Sequence, residues 1–201
     1  DRLGASMATG DFNGDGTDDI AVGAPGVAIN GATNAGAVYV FNGTLDLAAI
    51  SIFNQGSDGF TTDPESGDRF GSSLIAGDYN NDGFDDLVIG IPNEDLGSNN
   101  QLIDAGMITV LYGSNSGLSA PSSLHQYSPG IGTHSEVGDL FGFSLASGDI
   151  NGDSYDDLVV GVPGEGVAKQ ERAGLAHVIY GSNNGLNGEG STTLHQYTRR
   201  I

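Results

Sequence analysis

One nine-residue phrase constrains this chain more than any other feature, because it occurs three times. It runs Asp11-Phe12-Asn13-Gly14-Asp15-Gly16-Thr17-Asp18-Asp19 and returns as Asp78-Tyr79-Asn80-Asn81-Asp82-Gly83-Phe84-Asp85-Asp86. A third copy reads Asp149-Ile150-Asn151-Gly152-Asp153-Ser154-Tyr155-Asp156-Asp157. Each copy passes into an apolar run that ends at a proline: Pro25, Pro92 and Pro163. Upstream, Asp1-Arg2-Leu3-Gly4, Asp68-Arg69-Phe70-Gly71 and Asp139-Leu140-Phe141-Gly142 open three units, 67 and 71 residues apart. Self-similarity at such a period means one supersecondary unit used repeatedly.

Within each unit the order is a small-residue strand, the acidic loop, a strand ending at Gly-x-Pro, a variable loop and two further strands. Strands are expected over 4–10, 19–24, 36–41 and 49–54, then 71–77, 86–91, 106–112 and 123–128, then 142–148, 157–162, 174–180 and 193–198. The second strands (Ile20 to Val22, Leu158 to Val160) are continuous apolar runs, as in strands covered on both faces. The third strands (Ala37 to Phe41, Ala176 to Tyr180) are rich in β-branched and aromatic residues. No amphipathic helical window stands out. Four short strands per tandem unit is the pattern of a β-propeller blade, in which stacking on a neighbour supplies the cover one sheet lacks. The expected fold is therefore all-β, with blades at 1–67, 68–138 and 139–201. The small residues Gly4 to Ser6 and Gly71 to Ser73 suit strands crowded near the propeller axis.

The acidic phrase has the chemistry of a hard-cation loop. Side-chain oxygens at positions 1, 3 and 5, a main-chain carbonyl at 7 and a carboxylate at 9 can surround an ion that wants six to eight oxygens. The candidate calcium ligands are Asp11, Asn13, Asp15, Thr17 and Asp19, then Asp78, Asn80, Asp82, Phe84 and Asp86, then Asp149, Asn151, Asp153, Tyr155 and Asp157. This predicts three Ca2+ sites, one per repeat. Gly16 and Gly83 supply the turn at position 6, and Ser154 in their place marks the third loop as the strained or weaker one. An EF-hand is excluded, because Val22, Ile89 and Val160 stand where it needs a bidentate Glu and no helix follows. A thrombospondin-type array would carry regular Cys, and a calcium β-roll would carry Gly-Gly-x-Gly-x-Asp runs; neither occurs. The remaining alternative is that Asp-Gly and Asn-Gly mark ordinary turns.

Charge agrees with the cation reading. The chain holds 26 acids against 6 bases, a net charge of -20, and twelve of the acids sit in the three loops. Without a cation they would repel one another; three dications would bring the formal charge to -14. Such a balance argues against nucleic acid and against an anionic membrane surface. With no Cys there is no disulfide, which is compatible with an extracellular protein clamped by calcium instead. No apolar run is long enough for a membrane-spanning helix. The chain opens on Asp1, which reads as a mature product or an excised piece.

Phe70-Gly71 and Phe141-Gly142, followed by Gly90-Ile91-Pro92 and Gly161-Val162-Pro163, with Gly23-Ala24-Pro25 in the first unit, resemble FG-GAP repeats. These are the blades of the integrin α-subunit propeller and its bacterial relatives, and the resemblance covers essentially the whole chain. It implies calcium in the 1–2 loops. It also implies a ligand at the opposite face, here 55–69 and 128–140 with 26–35, 93–105 and 164–173. The departures are Leu3 for Phe, Ile91 and Val162 for Ala, and Ser154 for Gly. Family propellers close seven blades, so three should leave two apolar faces to be covered by further blades or by identical subunits.

Three functional readings stand side by side. The first is an extracellular or cell-surface module for adhesion, with a protein or glycan partner. The second is a structural subunit of a calcium-stabilised filament or coat, built through the open blade faces. The third, an enzyme, finds little support. His125 and His195 sit at equivalent places in identical Leu-His-Gln-Tyr stretches and read as packing, and His134 lacks a second zinc-binding His. Gly142 to Ala146 has the look of a nucleophile elbow but recurs as a first strand. Asn42-Gly43-Thr44 is a glycosylation sequon that matters only where the source glycosylates.

Overall fold

A computed structural model of the chain describes residues 1–43 and 50–197. Among them there is no helix, and twelve strands form three antiparallel sheets of four, each in sequence order. The first sheet holds β1 (Ser6–Gly10), β2 (Asp19–Ala24), β3 (Ala37–Phe41) and β4 (Ile50–Phe53). The second holds β5 (Ser73–Gly77), β6 (Asp86–Ile91), β7 (Met107–Tyr112) and β8 (Ser119–Leu124). The third holds β9 (Ser144–Gly148), β10 (Asp157–Val162), β11 (Leu175–Ile179) and β12 (Thr192–Leu194). Each sheet is one FG-GAP-type blade, and together they make part of a propeller.

The fourth strands correct the expectation drawn from the sequence. In the second blade the strand is Ser119–Leu124, not 123–128, and in the third it is Thr192–Leu194, not 193–198. Residue 198 lies outside the described residues, as does 49 at the expected start of β4. The stretch His125 to Tyr127 looks strand-like by composition but turns away from the sheet. Ser128 Oγ accepts the His125 N–H at 2.9 Å, and the Gln126 side chain crosses to the next blade. Pro121 sits inside β8 because that strand is an edge, where a missing N–H costs no ladder bond.

The hydrophobic core lies between blades rather than within them. One cluster joins Phe12, Val38 and Val40 of the first blade to Phe70, Leu87, Ile89 and Met107 of the second. The other joins Tyr79, Val88 and Ile108 to Phe141, Leu158 and Ile179. Every residue of β6 is buried, as expected for the central blade's second strand with a sheet on each side. Blades therefore stabilise one another through their faces, the stacking logic of repeat folds.

The inner strands set the spacing. β1 lies against β5, and β5 against β9. The Ser6 and Ser73 hydroxyls donate to the Gly71 and Gly142 carbonyls, each at 2.6 Å. A Cβ on Gly23 would overlap the Gly71 carbonyl, and one on Gly90 would overlap that of Gly142. The glycine of the first two Gly-x-Pro motifs thus packs on the glycine of the next blade's Phe-Gly. Phe70 and Phe141 then donate their N–H groups to the Ala35 and Ala105 carbonyls at 2.8 and 3.0 Å. The equivalents on the outer faces are uncovered: Leu3 is 59% exposed against 0% for Phe70 and Phe141, and Ile150 54% against 1% for Phe12 and 0% for Tyr79.

Candidate functional site

In a four-stranded antiparallel meander the 1–2 connections all emerge at one end of the blades. The three acidic loops are those connections, between β1 and β2, β5 and β6, and β9 and β10. Each loop is wound around its own side-chain oxygens. In the first, Asp11 Oδ1 and Asn13 Oδ1 both accept the Asp15 N–H, at 3.1 and 2.9 Å. Asp11 Oδ2 accepts Gly16 N–H, and Asp15 Oδ1 accepts Thr17 N–H, both at 2.9 Å. The second loop repeats this with Asp78, Asn80 and Asp82 around the N–H groups of Asp82, Gly83 and Phe84. The third does so with Asp149, Asn151 and Asp153 around Asp153, Ser154 and Tyr155. Positions 1, 3 and 5 are thereby drawn together in every copy.

Position 9 behaves differently. Asp19, Asp86 and Asp157 are buried at the start of the second strand. Asp86 accepts the N–H of Tyr79 at 3.1 Å and of Gly113 at 2.9 Å, and Asp157 those of Ile150 and Gly181 at 2.9 and 3.0 Å. Asp19 accepts the Gly43 N–H at 2.9 Å. This carboxylate ties the loop to the exit of the third strand. Burial pushes Asp86 up to about 7; the N–H groups of Gly113 and Tyr79 oppose the rise, and the charges of Asp82 and Asp78 add to it. Asp19 is raised in the same way, with Asp15 and Asp11 contributing.

The donor set suits a hard dication. The oxygens of positions 1, 3 and 5 face only N–H groups, and most of them accept a single bond and keep a lone pair. The position 9 carboxylate is close enough to feel their charge. Among the described residues no three His, Cys, Asp or Glu side chains alone form a metal-holding group. The set expected from the sequence differs in counting an Asn oxygen and a main-chain carbonyl, that of Thr17, Phe84 or Tyr155. At position 6, Gly16 and Gly83 have φ of +84° and +90°, and Ser154 is held at +76°. That conformation disfavours a side chain and makes the third loop the strained one.

The structure gives the paired acids at positions 8 and 9 different work. Asp85 Oδ2 accepts the Asp11 N–H at 2.8 Å, while Asp85 N–H donates to the Asp11 carbonyl at 3.1 Å. Asp156 and Asp78 repeat the exchange, at 3.1 Å for both bonds. The position 8 acid is a link between neighbouring loops. Its presence in all three phrases was the available signal.

At the opposite end, the 2–3 and 4–1 connections hold a second set that sequence reasoning missed. Gln55 donates to Glu94 at 2.6 Å and to Thr62 at 3.0 Å; Gln126 donates to Glu165 and Thr133 at the same distances. Burial pushes Glu94 up to about 8, helped by the charge of Asp68, and pushes Asp68 and Asp139 up to about 6. His177, fully buried, lies between Thr133 (Nε2 at 2.9 Å) and Thr193 (Nδ1 at 3.3 Å), and burial lowers it to about 4. Because Gln126 already donates to Thr133, the Thr133 hydroxyl is free to donate to Nε2, leaving the proton on Nδ1. His125 and His195 each accept the N–H two residues on, from Tyr127 and Tyr197, at 3.1 Å.

The FG-GAP repeat model matches residues 3–41, 70–111 and 141–179. The chain belongs to the FG-GAP repeat family. Its similar relatives include bovine phosphatidylinositol-glycan-specific phospholipase D, 35% identical over 167 residues covering 81% of this chain and 19% of that protein. Mouse integrin alpha-8 is 33% identical over 196 residues, 96% of this chain and 16% of the relative. Drosophila melanogaster integrin alpha-PS2 is 34% identical over 185 residues, 90% and 12% respectively. The chain thus spans about a fifth or less of the proteins it matches. No helix among the described residues is long and apolar enough to cross a membrane.

Proposed function

We propose that these FG-GAP blades are a calcium-stiffened recognition module of an extracellular or cell-surface protein, contributing adhesion rather than catalysis. The observation that carries this reading is the division of the blades into two ends. One end holds three near-identical oxygen-rich loops. The other holds connections of differing length and sequence, which is where grafted specificity resides. Similarity to integrin alpha subunits supports a protein or glycan partner at that second end. The histidines support a non-catalytic role, since His177 is clamped between hydroxyls and His125 and His195 close their own turns.

Bound calcium would supply charge neutralisation and a rigid coordination centre. Positions 1, 3 and 5 of each loop, with the carbonyl at 7 and the carboxylate at 9, are the residues that would hold it. Because position 8 joins adjacent loops, stiffening one loop would stiffen its neighbour. Calcorimetric titration tests this: three ions are expected per chain, with the Ser154 loop weakest. Asp15→Ala, Asp82→Ala and Asp153→Ala should each remove one ion and lower the melting temperature in calcium. Unchanged stoichiometry in all three variants defeats the assignment.

A second reading, a structural subunit that assembles blade to blade, is favoured by the exposure of Leu3 and Ile150 where their counterparts are buried. Light scattering separates the two. A large species in calcium that dissociates in chelator supports assembly; a monomer in both supports recognition.

A further inference from the structure

The two blade junctions are built alike except at one place. At the exit of β7, Tyr112 reaches the turn of the third blade, where its hydroxyl accepts the Leu186 N–H at 3.0 Å. Its ring lies flush on Gly185, where any Cβ would strike it. The register partner in the first blade is Asn42, one residue before Gly43, just as Tyr112 is one residue before Gly113; both glycines donate to the position 9 carboxylate. The receiving turn is the same at both junctions. Ser114 and Ser182 donate from their main chain to the Phe12 and Tyr79 carbonyls, at 3.2 and 3.1 Å. Their hydroxyls donate to the Gly117 and Gly185 carbonyls at 2.8 and 2.7 Å.

The first junction therefore keeps the receptor for a phenol ring and lacks the ring. A Cβ on Gly117 would meet nothing within 4 Å, and among the described residues no acceptor reaches the Leu118 N–H. A cavity of about 510 Å³ occupies the place, with Phe12, Val40, Phe53 and Leu118 as its apolar walls. Asp15 and Asp19, among the candidate calcium ligands, border it too, while the apolar walls make burial of a phosphate or sulphate costly and favour a neutral ring.

We infer that this cavity between the first two blades is a binding site for an uncharged phenolic ring, whose oxygen accepts the Leu118 N–H as Tyr112 accepts that of Leu186. The chemistry is shared by a tyrosine side chain on a partner segment and by a small free phenol. Amide spectra of the whole chain at constant calcium test it, with p-cresol and the tripeptide acetyl-Gly-Tyr-Gly-amide as probes. The Leu118 amide is expected to shift on saturation by p-cresol, with toluene binding at least tenfold more weakly. Tripeptide binding as well assigns the site to a partner's tyrosine; binding of p-cresol alone assigns it to a small phenol. Asn42→Tyr should place a ring at the Leu118 N–H from within and weaken p-cresol at least tenfold. Tyr112→Asn should open a second site, read at the Leu186 amide. A Leu118 amide unmoved by millimolar p-cresol overturns the inference, as does equal binding to wild type and to a folded Asn42→Tyr variant.

Discussion

The first and second junctions share almost every short-range contact and few of their large side chains. Both carry the carboxylate exchange at position 8, the serine hydroxyl on the next blade's Phe-Gly carbonyl, and the Gln-to-Glu bridge. They differ in that Phe12 of the first corresponds to Tyr79 of the second, Asn42 to Tyr112 and Thr109 to His177. Main-chain spacing is thus set by groups that cannot vary without loss of fit, whereas the volume between blades is filled by whatever side chain suits. A repeat can acquire a cavity or a buried histidine without disturbing the stacking.

The sharpest test of that division is a single methyl group. Gly23→Ala and Gly90→Ala each push a Cβ into the carbonyl of the next blade's glycine, where no side chain can yield. Roughly 3 kcal/mol or more of stability should be lost in each, as for severe overpacking. Gly161→Ala meets only the Ser144 side chain. That hydroxyl can rotate away, so a loss of about 1 kcal/mol or less is expected. Denaturant melts of the three variants decide it, and equal losses would show that the motif glycine serves the blade itself rather than the junction.

These contacts also explain what could be read beforehand. Phrase repetition disclosed the blades, because a loop wound on its own oxygens needs Asp, Asn and Gly in fixed order. The second strands were legible because burial on both faces leaves continuous apolar runs. Fourth strands were not: β8 contains Ser119, Pro121 and Ser122, an edge composition, and the more strand-like His125 to Tyr127 serves the neighbouring blade. Gln55, Glu94 and Asp68 were illegible for a related reason. Their partners lie in other blades, and a lone Gln or Glu in a variable loop carries no local signal. The linking role of Asp85 and Asp156 was illegible too, since the phrase alone cannot say which acid reaches the neighbouring loop.

The buried acids separate the junctions by pH. Glu94 is ringed by Asp68 and Glu65, with Asp95 acting on Asp68, whereas Glu165 faces Glu136 and, through Asp139, one acid fewer. Glu94 titrates near 8 in the fold against 4.5 when unfolded, so the fold holds the extra proton. Its contribution is fully present below about 4.5 and is lost as pH rises toward 8. Glu94→Gln keeps an acceptor for Gln55 and removes the titration. It should flatten the decline in stability between these limits by roughly 1–2 kcal/mol, measured at constant free calcium. Glu165→Gln should flatten it less. A pH profile changed equally by both variants would erase the distinction.

The smallest expected effect lies at the matched aromatic pair. Phe12 and Tyr79 occupy the same place in successive loops, and both are buried against the following blade. Phe12 fills its place with hydrocarbon alone. Tyr79 buries a hydroxyl that makes no well-formed hydrogen bond, with the Ser147 hydroxyl, equally unsatisfied, close enough to act on it, although the ring beneath packs as Phe12 does. A buried polar atom left unpaired costs free energy that an apolar replacement does not, and here the first junction already shows that phenylalanine fits the local backbone. Tyr79→Phe should therefore be neutral or stabilising by about 1 kcal/mol. A loss of similar size would mean that the hydroxyl does find an acceptor in solution, with buried Ser147 the nearest candidate, and that the second junction is held by a polar contact the first does without.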